Sequence, residues 1–141
     1  MTSLFEKEAV QALLPQKNPF VMVDALFSYA ADSLVSGFTA DENNLFADSG
    51  HFSESGLIEH MAQSVALHTG YSFFLKKEAA PEGYIGSMKD IVINALPKIG
   101  QPIVTSVTIL QEFMGITLVS VSTKIDGNEI ASGQMKTVLA K

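Results

Sequence analysis

Between Gly56 and Lys77 the chain carries a helix-length segment with apolar or small residues on every side, among them Leu57, Ile58, Met61, Ala62, Val65 and Phe73. A helix that is apolar all round has no face to give to water and has to be buried. At 1.5 Å per residue it spans about 30 Å. Ser53 and Ser55 are both candidate N-caps, and Lys76 and Lys77 suit its C-terminal end. The segment also holds Glu59, His60, Gln63 and His68, too many polar groups for a bilayer span. The remainder of the chain therefore has to wrap this helix.

What remains can do so as antiparallel sheet. Strand patterns run over residues 83–95, 102–113, 116–125 and 129–139, with Val119, Val121 and Thr123 alternating with Ser120, Ser122 and Lys124. Asp126-Gly127 and Met114-Gly115 mark tight hairpin connections. Earlier, Ser3 and Glu6 have capping-box spacing, predicting a short helix that ends before Pro15. Strands are expected over 20–29 and 34–39, and a long polar loop over 41–55. The expected fold class is α+β: one domain over residues 1–141, a long central helix inside a curved antiparallel sheet. Its open sheet edges favour pairing with a second copy.

Composition narrows the function. The 141 residues carry a net charge of −6, with nine Lys and no Arg. That disfavours nucleic acid as a partner and removes any bidentate Arg clamp for phosphate. The absence of cysteine excludes a disulfide framework, a Cys-ligated metal and a Cys nucleophile. No metal-ligand spacing and no nucleotide-binding loop stand out, so neither metal nor cofactor is expected. Without a basic, apolar leader the expectation is a cytoplasmic protein off the membrane.

Two groups could carry chemistry. Glu59 is a carboxylate on an apolar helix, a costly placement unless it is paired or used; desolvation would favour the protonated form that a general acid needs. His51, within Gly50-His51-Phe52, is the best general-base candidate. A first-turn Glu is also favoured by the helix dipole alone, and a loop His is often merely solvated, so bland readings stand beside both. If residues 51–59 were helical throughout, the two would lie about 12 Å apart along the axis. They meet only if the loop folds back or if His51 faces Glu59 of a partner chain. Gln63, four residues on, can hydrogen-bond Glu59. His60 and His68 read as packed or satisfied histidines.

Several segments together resemble the beta-hydroxyacyl-acyl carrier protein dehydratases. They are Leu13-Leu14-Pro15, Pro19 to Asp24, Asn44-Leu45-Phe46 leading to Gly50-His51-Phe52, Glu59 to Gln63, and Pro97 to Gly100. The segment between His51 and Glu59 is shorter than in that family and lacks its prolines, which resembles dehydratases of aryl-polyene and related pigment pathways. The resemblance implies a hotdog fold and a homodimer or higher oligomer. It implies His51 and Glu59 as catalytic residues acting across the dimer interface. The substrate it implies is a 3-hydroxyacyl thioester on acyl carrier protein, whose phosphopantetheine arrives with it. Gly56 is expected to supply a backbone amide to the thioester carbonyl, with Phe52 and Gln63 also at the substrate. A hotdog thioesterase and a non-catalytic acyl-binding partner subunit are the alternatives.

Overall fold

The structure is a computed structural model and describes residues 2–140. The chain begins with β1 (Phe5–Glu6) and α1 (Glu8–Gln11), followed by β2 (Ala25–Ala30) and β3 (Ser33–Phe38). A small hairpin, β4 (Ala47–Asp48) and β5 (His51–Phe52), leads directly into α2 (Glu54–Leu75). Four long strands complete it: β6 (Gly83–Ile93), β7 (Ile103–Phe113), β8 (Ile116–Ile125) and β9 (Asn128–Leu139). Seven strands form one antiparallel sheet in the order β1-β2-β3-β7-β8-β9-β6, and the sheet curls around α2. This is the expected α+β architecture.

Local sequence explains the sheet. On β8, Val119, Val121 and Thr123 are buried while Ser120 and Ser122 are half-exposed, so one face meets the helix and the other meets water. Asp126-Gly127 and Met114-Gly115 both adopt positive φ at two successive residues (49° and 81°, 53° and 80°). That geometry matches the twist of the strands they join.

The N-terminal expectations need correcting. No helix runs from Ser3 to Pro15. Leu4 and Lys7 donate their amides to Leu26 and Asp24, which draws the segment into β1, and only Glu8–Gln11 is α-helical. The Ser3 hydroxyl bonds the Glu6 side chain rather than its amide. The strand expected over 20–29 is confined to Ala25–Ala30. Met22 cannot join a ladder, because its amide donates to Gln63 Oε1 and its carbonyl accepts from His60, both on α2 (2.7 Å each).

Helix α2 starts two residues before the predicted Gly56. Of the two candidate caps, Ser53 is the one in extended conformation, continuing β5, and its Oγ accepts from the Gly56 amide at 3.3 Å. Gly70 fixes where the N-terminal segment lies: a Cβ there would sit 2.1 Å from the Leu13 carbonyl oxygen. The chain after α1 thus runs in backbone contact with α2. The helix is not buried on every side, since Ile58, Glu59, Ala62, Ala66 and Thr69 form a half-exposed stripe.

Candidate active site

His51 is presented by the tight β4–β5 hairpin. Ser49 and Gly50 hold φ of 52° and 80°, the two-residue turn geometry that reverses the chain immediately before the imidazole. The connection between β6 and β7 braces β5: Phe52 donates to Pro97 O at 2.8 Å and Ile99 donates to Gly50 O at 3.0 Å. The His51 Nδ1–H donates to Ser49 O at 3.1 Å. That bond selects the tautomer whose Nε2 lone pair is free to accept a proton. The ring is half-exposed.

Glu59 sits on the open stripe of α2, half-buried. Gln63, one turn on and fully buried, donates from Nε2 to Glu59 Oε2 at 2.8 Å. The same amide group donates to Phe20 O at 2.7 Å, and Gln63 Oε1 accepts the Met22 amide at 2.7 Å. Every hydrogen-bonding position that this amide needs to fix its orientation is taken. Gln63 therefore holds one carboxylate oxygen of Glu59 and leaves the other for a ligand.

Beneath this pair lies a buried polar chain. His60 Nδ1–H donates to Met22 O at 2.7 Å, and its Nε2 accepts from the Thr105 hydroxyl at 2.7 Å, which in turn bonds Thr123 at 2.6 Å. Ser64 donates to His60 O at 2.8 Å and bonds Ser36 at 2.7 Å. Burial holds the His60 pKa down to about 4 from 6.5, partly offset by the Met22 bond. A histidine kept neutral in this way takes up its proton more readily when unfolded. Stability is then full above the unfolded pKa and falls as pH drops through the window from 6.5 to 4. Denaturant melts at about pH 7.5 and 5 should show the wild type losing about 2 kcal/mol more than a His60→Gln variant. Equal losses would contradict the neutral assignment.

The open stripe of α2 forms the floor of a cleft of about 470 Å³. Its walls are Leu13 to Gln16 on one side and Gly83, Tyr84, Ile85 and Met88 of β6 on the other, with Ile58, Glu59, Ala62 and Ala66 below. Glu59 thus faces the cleft. His51 does not line it, so one chain does not bring the two candidate catalytic groups together across this space. Two other expectations shift. Phe52 is 1% exposed, packs on Phe38 and belongs to the core rather than to the cleft wall. Gly56 is buried against Phe52 and Phe46, and its amide is engaged by Ser53. Sequence reasoning missed the β6 wall and the Leu13–Gln16 wall; the only sequence signal for either was the Ala62/Ala66/Gly70 spacing, which leaves a groove on α2.

Strand β6 is a sheet edge. It pairs with β9 alone, and Gly83 to Asp90 are all exposed, with Tyr84 at 58% and Met88 at 42%. A long apolar edge of this kind is a template for another strand.

Residues 8–141 match the ApeP-like family, described as ApeP dehydratase. The chain belongs to the ApeP-like dehydratase family. The match covers both walls of the cleft, the β4–β5 hairpin and all of α2. This ApeP-like chain is 27% identical over 133 residues to the 3-hydroxyacyl-[acyl-carrier-protein] dehydratase FabZ of Vibrio cholerae, covering 90% of the chain and 86% of the relative. Among solved structures it resembles the dehydratase heterocomplex ApeI:P from Xenorhabdus doucetiae, with a TM-score of 0.87 at 17% identity over 94% of this chain and 91% of that one. It also resembles mouse thioesterase superfamily member 2, with a TM-score of 0.60 at 22% identity over 82% and 80%. These likenesses establish the hotdog fold expected from the sequence.

Proposed function

We propose that this ApeP-like protein eliminates water from a 3-hydroxyacyl thioester carried on acyl carrier protein, giving the trans-2-enoyl thioester. The observation that carries the reading is the Glu59–Gln63 pair: a carboxyl group held by one oxygen, on a residue that lines a largely apolar cleft along a helix. The FabZ relatives are named for the same reaction.

In this reading the site is shared between two subunits. A second copy pairs along β6, closes the cleft and sets its His51 opposite Glu59 of the first; two-fold symmetry makes two such sites. His51 Nε2 removes the α-proton, which the thioester carbonyl acidifies. The carbonyl oxygen lies at the N-terminal turn of α2, where the helix dipole favours developing negative charge. The Gly56 amide serves there by exchanging its long 3.3 Å bond to Ser53 for a stronger acceptor. Glu59, protonated on the oxygen that Gln63 does not hold, gives its proton to the leaving hydroxyl. Fixed donors and acceptors placed this way supply most of such a rate enhancement. The chemistry is confined to substrate, side chains and one amide, and it calls for no cofactor.

The deciding experiment offers the protein a 3-hydroxyacyl thioester and the matching saturated acyl thioester. Appearance of the conjugated enoyl absorbance from the first, with no thiol released from either, is the expected result. Thiol release from the saturated thioester would replace this reading with thioester hydrolysis, and binding without either product would leave an acyl-binding subunit.

A further inference from the structure

Strand register places a change of character at the far end of the cleft. On the sheet face toward α2, Ile109, Val119, Met135 and Met88 stand side by side across β7, β8, β9 and β6. The next row on that face is Glu112, Thr117, Thr137 and Ile85. An apolar row thus gives way to a carboxylate and two hydroxyls. Between this row and the helix lies a recess of about 30 Å³, lined by Glu112, Thr117 and Thr137 from the sheet and by His68 and Thr69 from α2. Thr69 and Thr137 also line the cleft, so the two spaces share a wall.

The polar groups of the recess are accessible and loosely held. Glu112 is exposed, and Thr69, Thr117 and Thr137 are half-exposed. Thr117 reaches Glu112 Oε2 only at 3.4 Å. His68 spends its Nε2–H on Ala30 O at 2.9 Å, which leaves its other ring nitrogen as an acceptor. Among the described residues no Lys lines the recess or the cleft, while Glu59 and Glu82 add negative charge to the cleft. These surroundings favour a hydrogen-bond donor and disfavour an anion. A volume of about 30 Å³ is one water's share of the liquid, so the recess takes a single terminal polar group. Thr69 follows Glu59 by ten residues, about 15 Å along the helix axis. Between them Ala62 and Ala66 form the cleft floor and offer no polar side-chain atom.

We propose that Glu112, Thr117 and Thr137 are specificity-determining residues that select long acyl chains ending in a hydroxyl, which they bind about 15 Å from the reacting carbon. The proposal rests on the reading of this cleft as the thioester site. An extended chain advances about 1.2 Å per bond, the rise of extended backbone shared among its three bonds per residue. About twelve bonds therefore separate C3 of the acyl group, beside Glu59, from the terminal oxygen. An ω-hydroxytetradecanoyl chain has that length. A shorter chain leaves its hydroxyl against Ala62 and Ala66, where it finds no partner and costs affinity.

The test titrates the protein calorimetrically with octanoyl and tetradecanoyl pantetheine thioesters, each with a methyl or an ω-hydroxyl end. The hydroxyl should weaken binding of the octanoyl chain. On the tetradecanoyl chain it should strengthen binding about tenfold, the scale of a hydrogen bond to a charged acceptor. An ω-carboxyl end on the longer chain should bind more weakly than the methyl end. Glu112→Leu and Thr137→Val each remove polar atoms from the recess. Each should lower the tetradecanoyl preference for a hydroxyl about threefold to tenfold and leave the affinity for methyl-ended chains unchanged or higher. A hydroxyl with the same effect at both lengths, or a preference that survives in both variants, overturns the proposal. So does failure of every probe to bind, or a fall of several degrees in the Tm of both ligand-free variants, which marks a structural role. Binding needs no turnover. A protein showing the reversal with length but forming no enoyl product keeps this assignment and loses the dehydratase reading; turnover without the reversal does the opposite.

Discussion

His51→Ala and Glu59→Gln should each lower turnover of a 3-hydroxyacyl thioester by about 10²- to 10⁴-fold, the usual worth of a positioned general base or acid. Neither change should disturb folding. His51 is half-exposed on a hairpin whose backbone bonds to residues 97 and 99 do not involve the ring. In the Glu59→Gln variant the side-chain carbonyl would still accept from Gln63. Mixing the two inactive proteins provides the sharper measurement. If His51 of one chain works with Glu59 of the other, a mixed dimer holds one site with both groups intact and one with neither. Random exchange at equal concentrations then makes half of the dimers mixed, and roughly a quarter of wild-type activity returns. A site assembled within one chain returns none. Near-normal activity in either single variant would remove that residue from the chemistry altogether.

Val92→Glu should convert the protein to monomers at micromolar concentration and abolish most of its activity. Val92 is 48% exposed on β6, pairs with Ser132 of β9 on one side only, and does not line the cleft. In a two-fold arrangement along this edge the introduced carboxylate is taken out of water with no partner charge, which costs several kcal/mol. Sedimentation at a series of dilutions reads the dissociation directly. Activity per chain should rise with protein concentration as dimers reform. A variant that stays dimeric and fully active would move the interface away from β6.

The parts of the fold legible in sequence are those written as periodicity. Strands β7, β8 and β9 alternate along the stretches that face the helix, and Asp126-Gly127 and Met114-Gly115 turn where their positive φ allows. The Glu59–Gln63 bond follows from helical spacing alone. Residues 20–24 have the apolar character of a strand without forming one, because Met22 bonds to side chains forty residues away on α2. Nothing in local sequence encodes that competition. The N-terminal capping pattern fails for a similar reason, since pairing with β2 outweighs a short helix with little to bury. At the site, Glu59 is visible as a carboxylate out of place on an apolar helix. The cleft is not, because its walls come from segments some seventy residues apart in the chain, and only folding sets Gln16 near Met88.

Strand β6 stands in the cleft wall and at the sheet edge at once, with Tyr84, Ile85 and Met88 contributing to both. If the cleft holds the acyl group and the edge a second subunit, as proposed, selection for a longer or bulkier acyl group acts on the same positions as selection for a subunit. A lineage that altered its product would tend to alter its choice of mate, and duplicated copies that diverged in one respect would drift apart in the other.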